Sequence, residues 1–257
     1  MTAKIICLAQ NKGGTAKTSS VLNLAACLVQ FDLRVLTVDL DQQCNLTVSL
    51  GVDPVGLNPT TFQLITDSSV TAQDTIVHTA EGIDLLPASI KLGVLNFSIQ
   101  ETLGRERLLS KKIRAIIGNY DFVLIDTPPS FDIATLNGLT AADYLMVPVV
   151  PERLCVEGLG NMLRTYQEIR ENSNPNLEML GIFIARYDGR RTLHKELEGA
   201  LREEWGNSAF ATIIRERANM QEASMRGQSV IAYQRGSDLS ADYLALTQEV
   251  LDNVRSV

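Results

Sequence analysis

The chain has 257 residues, 45% of them hydrophobic and 21% charged, the composition of an ordinary globular protein with a sizeable core. Its net charge of −7 argues against a binder of nucleic acid that is basic all over, and its longest apolar runs fall far short of a membrane span. Cys7, Cys27, Cys44 and Cys155 form no CxxC pair, which excludes an obvious zinc site or disulfide framework; buried free thiols in a reducing cytosol are expected.

The start, Met1-Thr-Ala-Lys-Ile-Ile, has none of the features of a signal peptide and leads straight into a strand. Residues 5–9 are a continuous apolar run ending in a glycine loop, the pattern of a strand buried on both faces. Val21, Leu22, Leu24, Ala25, Leu28 and Val29 then follow helical spacing, predicting a helix over 18–30, and residues 34–39 read as the next buried strand. Strand, loop, helix and strand thus close within one βαβ unit. Further strands are predicted at 83–87, 122–126, 144–149 and 180–187, and helices at 61–65, 104–118, 133–141, 158–172, 193–205 and 241–254. This alternation implies an α/β fold, a mostly parallel twisted sheet with helices on both faces. Asn172-Ser-Asn-Pro-Asn176 reads as a turn, so one domain over residues 1–257 is expected.

The central motif is Gln10-Asn-Lys-Gly-Gly-Thr-Ala-Lys-Thr18, set between the first strand and the first helix. A loop in that place aims backbone N–H groups and the positive end of a helix at one point, which suits a polyphosphate. Gly13 and Gly14 allow close approach of the backbone, Lys17 is placed to lie along the β- and γ-phosphates, and the Thr18 hydroxyl to ligate Mg²⁺. The pattern G-x-x-x-x-G-K-[ST] is broken twice, by Asn11 and Ala16. Farther on, Phe122-Val-Leu-Ile-Asp126 is an apolar strand ending in an acid that could hold a Mg²⁺-bound water, followed by the stiff pair Pro128-Pro129.

Lys12-Gly-Gly-Thr-Ala-Lys-Thr18 resembles the deviant Walker A motif KGGxGKT of the ParA/MinD family of P-loop ATPases, closest to its small Soj-like partitioning members. Asp39-Leu-Asp-Gln-Gln-Cys-Asn45 is similar to the family's switch I, DxDPQxN, with Gln42 in place of proline, and Asp126-Thr-Pro-Pro-Ser130 to its switch II. Ile83–Ser89, Ala141–Pro148, Glu157–Leu159 and the stretch 215–230 resemble family segments too. The resemblance implies ATP and Mg²⁺ as cofactors, bound by Lys12, Gly13, Gly14, Thr15, Ala16, Lys17, Thr18 and Ser19. It implies that Lys12 reaches the phosphates of a partner subunit's nucleotide, as a cation supplied in trans. Asp41 would position the attacking water, so that Lys12, Lys17 and Asp41 form the catalytic set. Thr18, Asp41 and Asp126 would surround the metal, with Asp39 supporting that shell. Ile214-Arg-Glu-Arg217 replaces the frequent IPRN beside the adenine, leaving Arg217 as the expected contact there.

The branch of the family follows from charge. Only one basic residue lies among the last twenty-two, and Leu246, Val250 and Val254 at four-residue intervals suit a core contact, so membrane binding is not expected. Residues 186–235 carry 9 Lys+Arg against 7 Asp+Glu. Arg186, Arg190, Arg191, Lys195, Arg202 and Arg226 are candidates for a surface that meets non-specific DNA across an ATP-dependent homodimer. By the resemblance, a ParB-like partner would stimulate slow hydrolysis and release the dimer, in a cytoplasmic, nucleoid-associated protein. Two alternatives are a MinD-like membrane-associated ATPase and an ATP-dependent biosynthetic enzyme of the same fold. An iron–sulfur electron donor is disfavoured, because only Cys155 follows Asp126.

Overall fold

A computed structural model describes residues 3–152 and 155–255, apart from the side chains at 155–158, 207 and 255; Met1, Thr2 and the side chains of Cys155 and Glu157 lie outside it. The strands are β1 (Lys4–Leu8), β2 (Val35–Asp39), β3 (Val77–His78), β4 (Asp84–Leu86), β5 (Phe122–Asp126), β6 (Tyr144–Val149), β7 (Glu178–Tyr187) and β8 (Ala209–Arg215). The helices are α1 (Lys17–Gln30), α2 (Asn45–Ser49), α3 (Thr61–Thr66), α4 (Ala72–Thr75), α5 (Leu95–Ser98), α6 (Leu108–Ile113), α7 (Ile133–Ala141), α8 (Cys155–Asn172), α9 (Thr192–Trp205), α10 (Asn219–Met225), α11 (Val230–Tyr233) and α12 (Asp238–Arg255).

The strands form one sheet in the order β3-β4-β2-β5-β1-β6-β7-β8, parallel except for the short antiparallel edge pair β3–β4. This is the α/β architecture expected of the sequence. Side chains alternate across each strand, so β1 feeds two cores. Ile5 and Cys7 face one that includes Ile113, Leu139 and Met162, while Ile6 and Leu8 face one built with Leu24, Leu28 and Leu246. Cys7, Cys27 and Cys44 are buried free thiols, as expected of them.

β1 lies between β5 and β6, and the chain leaves it for α1 and returns as β2 on the far side of β5. Connections therefore diverge at the carboxyl end of β1, which is where open α/β sheets form their ligand crevices. The glycine loop and both aspartate-bearing strand ends, Asp39 of β2 and Asp126 of β5, arrive at that edge.

Two expectations change. The predicted helix over 104–118 is broken: Gly104 turns with φ 67°, a 3₁₀ turn covers Arg105–Arg107, α6 follows, and Ile117–Asn119 is again 3₁₀. Leu109 and Ile113 are buried from α6, but Ile116-Ile-Gly118 offers a β-branched pair and a glycine where the helix would continue. β8 was not expected at all; it is an edge strand, half-buried, without the clean period of a core strand.

The terminal helix is a core element. Leu246, Val250 and Val254 are buried against the α1 side of the sheet, and no helix among the described residues is long and apolar enough to cross a membrane. Leu246→Ala is therefore expected to cost about 2–5 kcal/mol. A urea titration reads this as a lower midpoint at unchanged slope; an unshifted midpoint would mean that the helix does not pack there.

Candidate nucleotide site

The glycine loop is shaped by two left-handed residues, Gly14 with φ 74° and Ala16 with φ 68°. Glycine takes that conformation freely, whereas a Cβ there costs roughly 1–2 kcal/mol. Ala16 thus carries strain at the position where the KGGxGKT pattern has glycine. No side chain caps the N-terminus of α1, and Ala16 supplies only its carbonyl, to Ser20 N–H at 2.9 Å. The opening N–H groups of this 14-residue helix are left to the loop's concave side, a ready site for an anion.

Lys17 is buried at the base of the loop, donating to the carbonyls of Gln10 at 3.0 Å and Lys12 at 3.4 Å. Burial lowers its pKa, against the pull of Asp126 and Asp41, so both carboxylates act on its ammonium. Thr15, also buried, donates to the Lys12 carbonyl at 3.2 Å.

Beneath the loop, Thr18 Oγ1 donates to Asp126 Oδ2 at 2.7 Å. Asp126 is fully buried, and its Oδ1 has no hydrogen-bond partner among the described residues. Burial raises its pKa well above the carboxylate range, Asp39 adds to the rise, and Thr18 and Lys17 oppose it. An orphaned carboxylate oxygen beside a threonine hydroxyl is what a small hard cation requires: one or two protein oxygens, with water and phosphate completing the shell. These residues fit Mg²⁺.

Asp39 and Asp41 divide their work. Asp39 Oδ1 accepts from Asp41 N–H at 3.0 Å, and Oδ2 accepts from Thr47 N–H at 2.9 Å and its hydroxyl at 2.7 Å. Both oxygens are thus engaged, so Asp39 braces the switch I segment rather than facing a metal, and burial pushes its pKa up to about 6. Asp41 accepts from Gln43 N–H at 2.9 Å and reaches the cavity. Thr127 ties switch II down by donating to the Leu8 carbonyl at 2.8 Å, and Pro129 meets the cavity beside Gly13.

The cavity holds about 690 Å³ and joins two regions. One is the loop itself, from Gly13 to Ser19 with Asp41, and the other runs from Ile214 to Ala218 with Met220, Gln221 and Tyr243. Its size suits a drug-sized or cofactor-sized ligand. Arg217 belongs to its wall, donating to the Glu216 carbonyl at 3.1 Å, so the segment replacing IPRN does border the cavity.

Lys12 behaves differently from Lys17. Its ammonium forms an ion pair with Glu152, just after β6, whose pKa it lowers. Glu152 was invisible in the sequence, being 140 residues from its partner with no motif to mark it.

The six candidate DNA cations do not share one environment. Arg190 and Arg191 sit on the turn after β7, paired with Asp188, and Lys195 is exposed one turn into α9. Arg202 is engaged with Glu198 and with the carbonyls of Phe210 and Ala211, pinning α9 to β8. Arg226 stacks over Tyr233 at 5.2 Å from the ring centre. Arg186 lines the nucleotide cavity and donates to the Gly14 carbonyl.

Comparison with known proteins agrees with this geometry. A family model described as an AAA domain matches residues 3–179. The sporulation initiation inhibitor protein Soj of Bacillus subtilis is 32% identical over 250 residues, covering 97% of this chain and 99% of Soj. The chromosome partitioning protein ParA of Caulobacter vibrioides is 30% identical over 254 residues, covering 98% of this chain and 95% of ParA. The crystal structure of cobyrinic acid a,c-diamide synthase from Mycobacterium smegmatis with bound ADP and magnesium matches with a TM-score of 0.87 at 32% identity, covering 99% of this chain and 96% of that one.

Asp126→Asn removes a buried charge but keeps an oxygen for Thr18. The variant is expected to be at least as stable as the wild type, by up to about 1 kcal/mol in thermal unfolding. It should also lose the gain in nucleotide affinity that Mg²⁺ confers, measured by calorimetry with and without the metal. Full retention of that gain would remove Asp126 from the metal site.

Proposed function

The chain belongs to the ParA/MinD family of P-loop ATPases, and from that premise we propose that it is a single-domain partitioning or positioning ATPase working through an ATP-sandwiched homodimer. The glycine loop grips the triphosphate with its amides and Lys17. Thr18 and Asp126, with Asp41 at the cavity wall, would hold Mg²⁺, which when bound would supply Lewis-acid charge to the phosphates. Asp41 orients the attacking water in line with the leaving group, work for which a fixed carboxylate is suited.

The observation that carries this reading is the placement of Lys12. It opens the phosphate loop, yet its ammonium pairs with Glu152 instead of joining the Lys17 cluster at the loop's base. That placement supports the proposed role, in which the ammonium leaves Glu152 and meets charge developing on the γ-phosphoryl group of a neighbouring copy's nucleotide. Slow turnover, stimulated by a ParB-like partner, then times the release of the dimer.

The dimer is proposed to hold non-specific DNA through Arg190, Arg191 and Lys195, which the β7–α9 turn brings together on the surface. Arg202 and Arg226 are second in rank, because their guanidinium groups already serve contacts within the fold. Such a protein is cytoplasmic and nucleoid-associated. Burial of the apolar face of α12 weighs against a MinD-like membrane anchor built on that helix.

A second reading, an ATP-dependent biosynthetic enzyme, draws on the likeness to the cobyrinic acid a,c-diamide synthase. It requires ATP consumption that depends on a small-molecule acceptor and is indifferent to DNA.

Retention of DNA by wild type and Asp41→Ala with ATP, ADP or no nucleotide, over a salt series, separates the readings. Retention is expected with ATP alone, stronger in Asp41→Ala because hydrolysis stalls, and falling steeply as salt rises. Lys12→Ala should lose hydrolysis by about 10³-fold, the scale of a trans-acting cation. DNA retention by Lys17→Ala without nucleotide, or unimpaired turnover in Asp41→Ala, would overturn the mechanism.

A further inference from the structure

Arg186 sits at an irregularity in the sheet. Ile184 of β7 pairs with Ile213 of β8 and Tyr187 with Arg215, so β7 carries one residue more than its neighbour over the same span. Arg186 falls within that extra length, with φ 55°, a left-handed backbone that is unfavourable for any residue bearing a Cβ. An inserted residue redirects the side chain it carries, and strained non-glycine positions gather at functional sites.

The redirected side chain reaches back to the phosphate loop. Nη1 donates to the Gly14 carbonyl at 3.0 Å, while Nε and Nη2 donate to Glu216 Oε1 at 3.2 and 2.8 Å. Gly14, Arg186 and Glu216 all line the nucleotide cavity. Holding the Gly14 carbonyl also fixes the N–H of Thr15, since the peptide unit is planar and the two point in opposite directions. A guanidinium has five N–H donors, and these bonds use three. The side chain is 46% exposed, at the cavity rather than under it.

We propose that Arg186 is a phosphate-binding and loop-positioning residue of the nucleotide site in its own subunit. It orients the Gly14–Thr15 peptide and turns its two remaining donors on the phosphates of the bound nucleotide. The inference rests on the nucleotide-binding reading above and adds to it a cis cation distinct from Lys17 and from the trans-acting Lys12. Its planar fork matches phosphate oxygens in a way that a lysine does not. An exposed pair with Glu216 is worth little to stability and gives no reason to hold the backbone in a strained conformation. Glu216 has a simpler role: it keeps the guanidinium in place and offsets its charge.

The test is calorimetry with Mg²⁺ and ATP, ATPase kinetics and thermal unfolding on wild type, Arg186→Gly, Arg186→Lys and Lys17→Ala. Glycine accepts the left-handed backbone, so Arg186→Gly should unfold no earlier than wild type. Its Kd and KM for ATP should rise about tenfold or more, the scale of a lost charge-assisted contact, while kcat falls by much less. Arg186→Lys should fall in between, keeping the charge without the fork. Nucleotide binding by Arg186→Gly within twofold of wild type would overturn the proposal. So would a loss of affinity matched by an equal loss of fold stability in both variants, since that is the mark of a purely structural residue. Failure of the wild type itself to bind ATP would instead sink the nucleotide reading, and Lys17→Ala sets the level of that failure.

Discussion

The hydrogen bond from the Thr18 hydroxyl to Asp126 joins the first turn of α1 to the end of β5 at the centre of the sheet. Around it lie three buried acids: Asp126 and Asp41 act on the one ammonium of Lys17, while Asp39 bears on the Asp126 carboxylate. Placing so many ionisable groups in a dry interior is costly, and the raised pKa values of Asp39 and Asp126 register the cost. A fold that served stability alone would fill the space with apolar side chains. This one keeps an unsatisfied carboxylate oxygen under a loop of N–H groups, an arrangement that a triphosphate and a divalent cation complete.

From that centre the structure reaches its surroundings through few bonds. Asp39 couples β2 to the start of α2 through Thr47, so switch I is gripped from behind while Asp41 faces the cavity. Thr127 fixes switch II to β1, and the two prolines after it carry any displacement as a unit. Lys12 and Arg186 bracket the loop from outside, one tied to Glu152 and the other to Glu216. Both cations have acidic restraints and both act on phosphate in the proposed cycle, the first on a neighbour's nucleotide and the second on its own.

Much of this was legible in the sequence. The βαβ unit and the loop were readable because β1 and β2 are continuous apolar runs around a glycine-rich turn, and because an acid ends β5. The pairing of Thr18 with Asp126 agrees with the placement that phosphate-loop chemistry demands. What escaped was nonlocal or weakly patterned. β8 is half-buried at an edge, and α10 and α11 are short helices whose identity depends on packing against the rest of the chain. Glu152 meets Lys12 only through the fold. Arg186 resembled its neighbours Arg190 and Arg191 as one more surface cation, and nothing in the local sequence announces an extra residue in β7 or the left-handed backbone that swings it onto Gly14.

The claim on which the cycle depends is that one subunit's Lys12 completes the other's site. Mixing Lys12→Ala with Asp41→Ala tests it directly, because each variant keeps what the other lacks. In a mixed dimer the Lys12→Ala subunit retains its own Asp41 and receives Lys12 from its partner. The account predicts two preparations that are each nearly inactive and a mixture that regains ATP turnover. A mixture as inactive as its components, although light scattering shows the two forming dimers together with ATP, would contradict it.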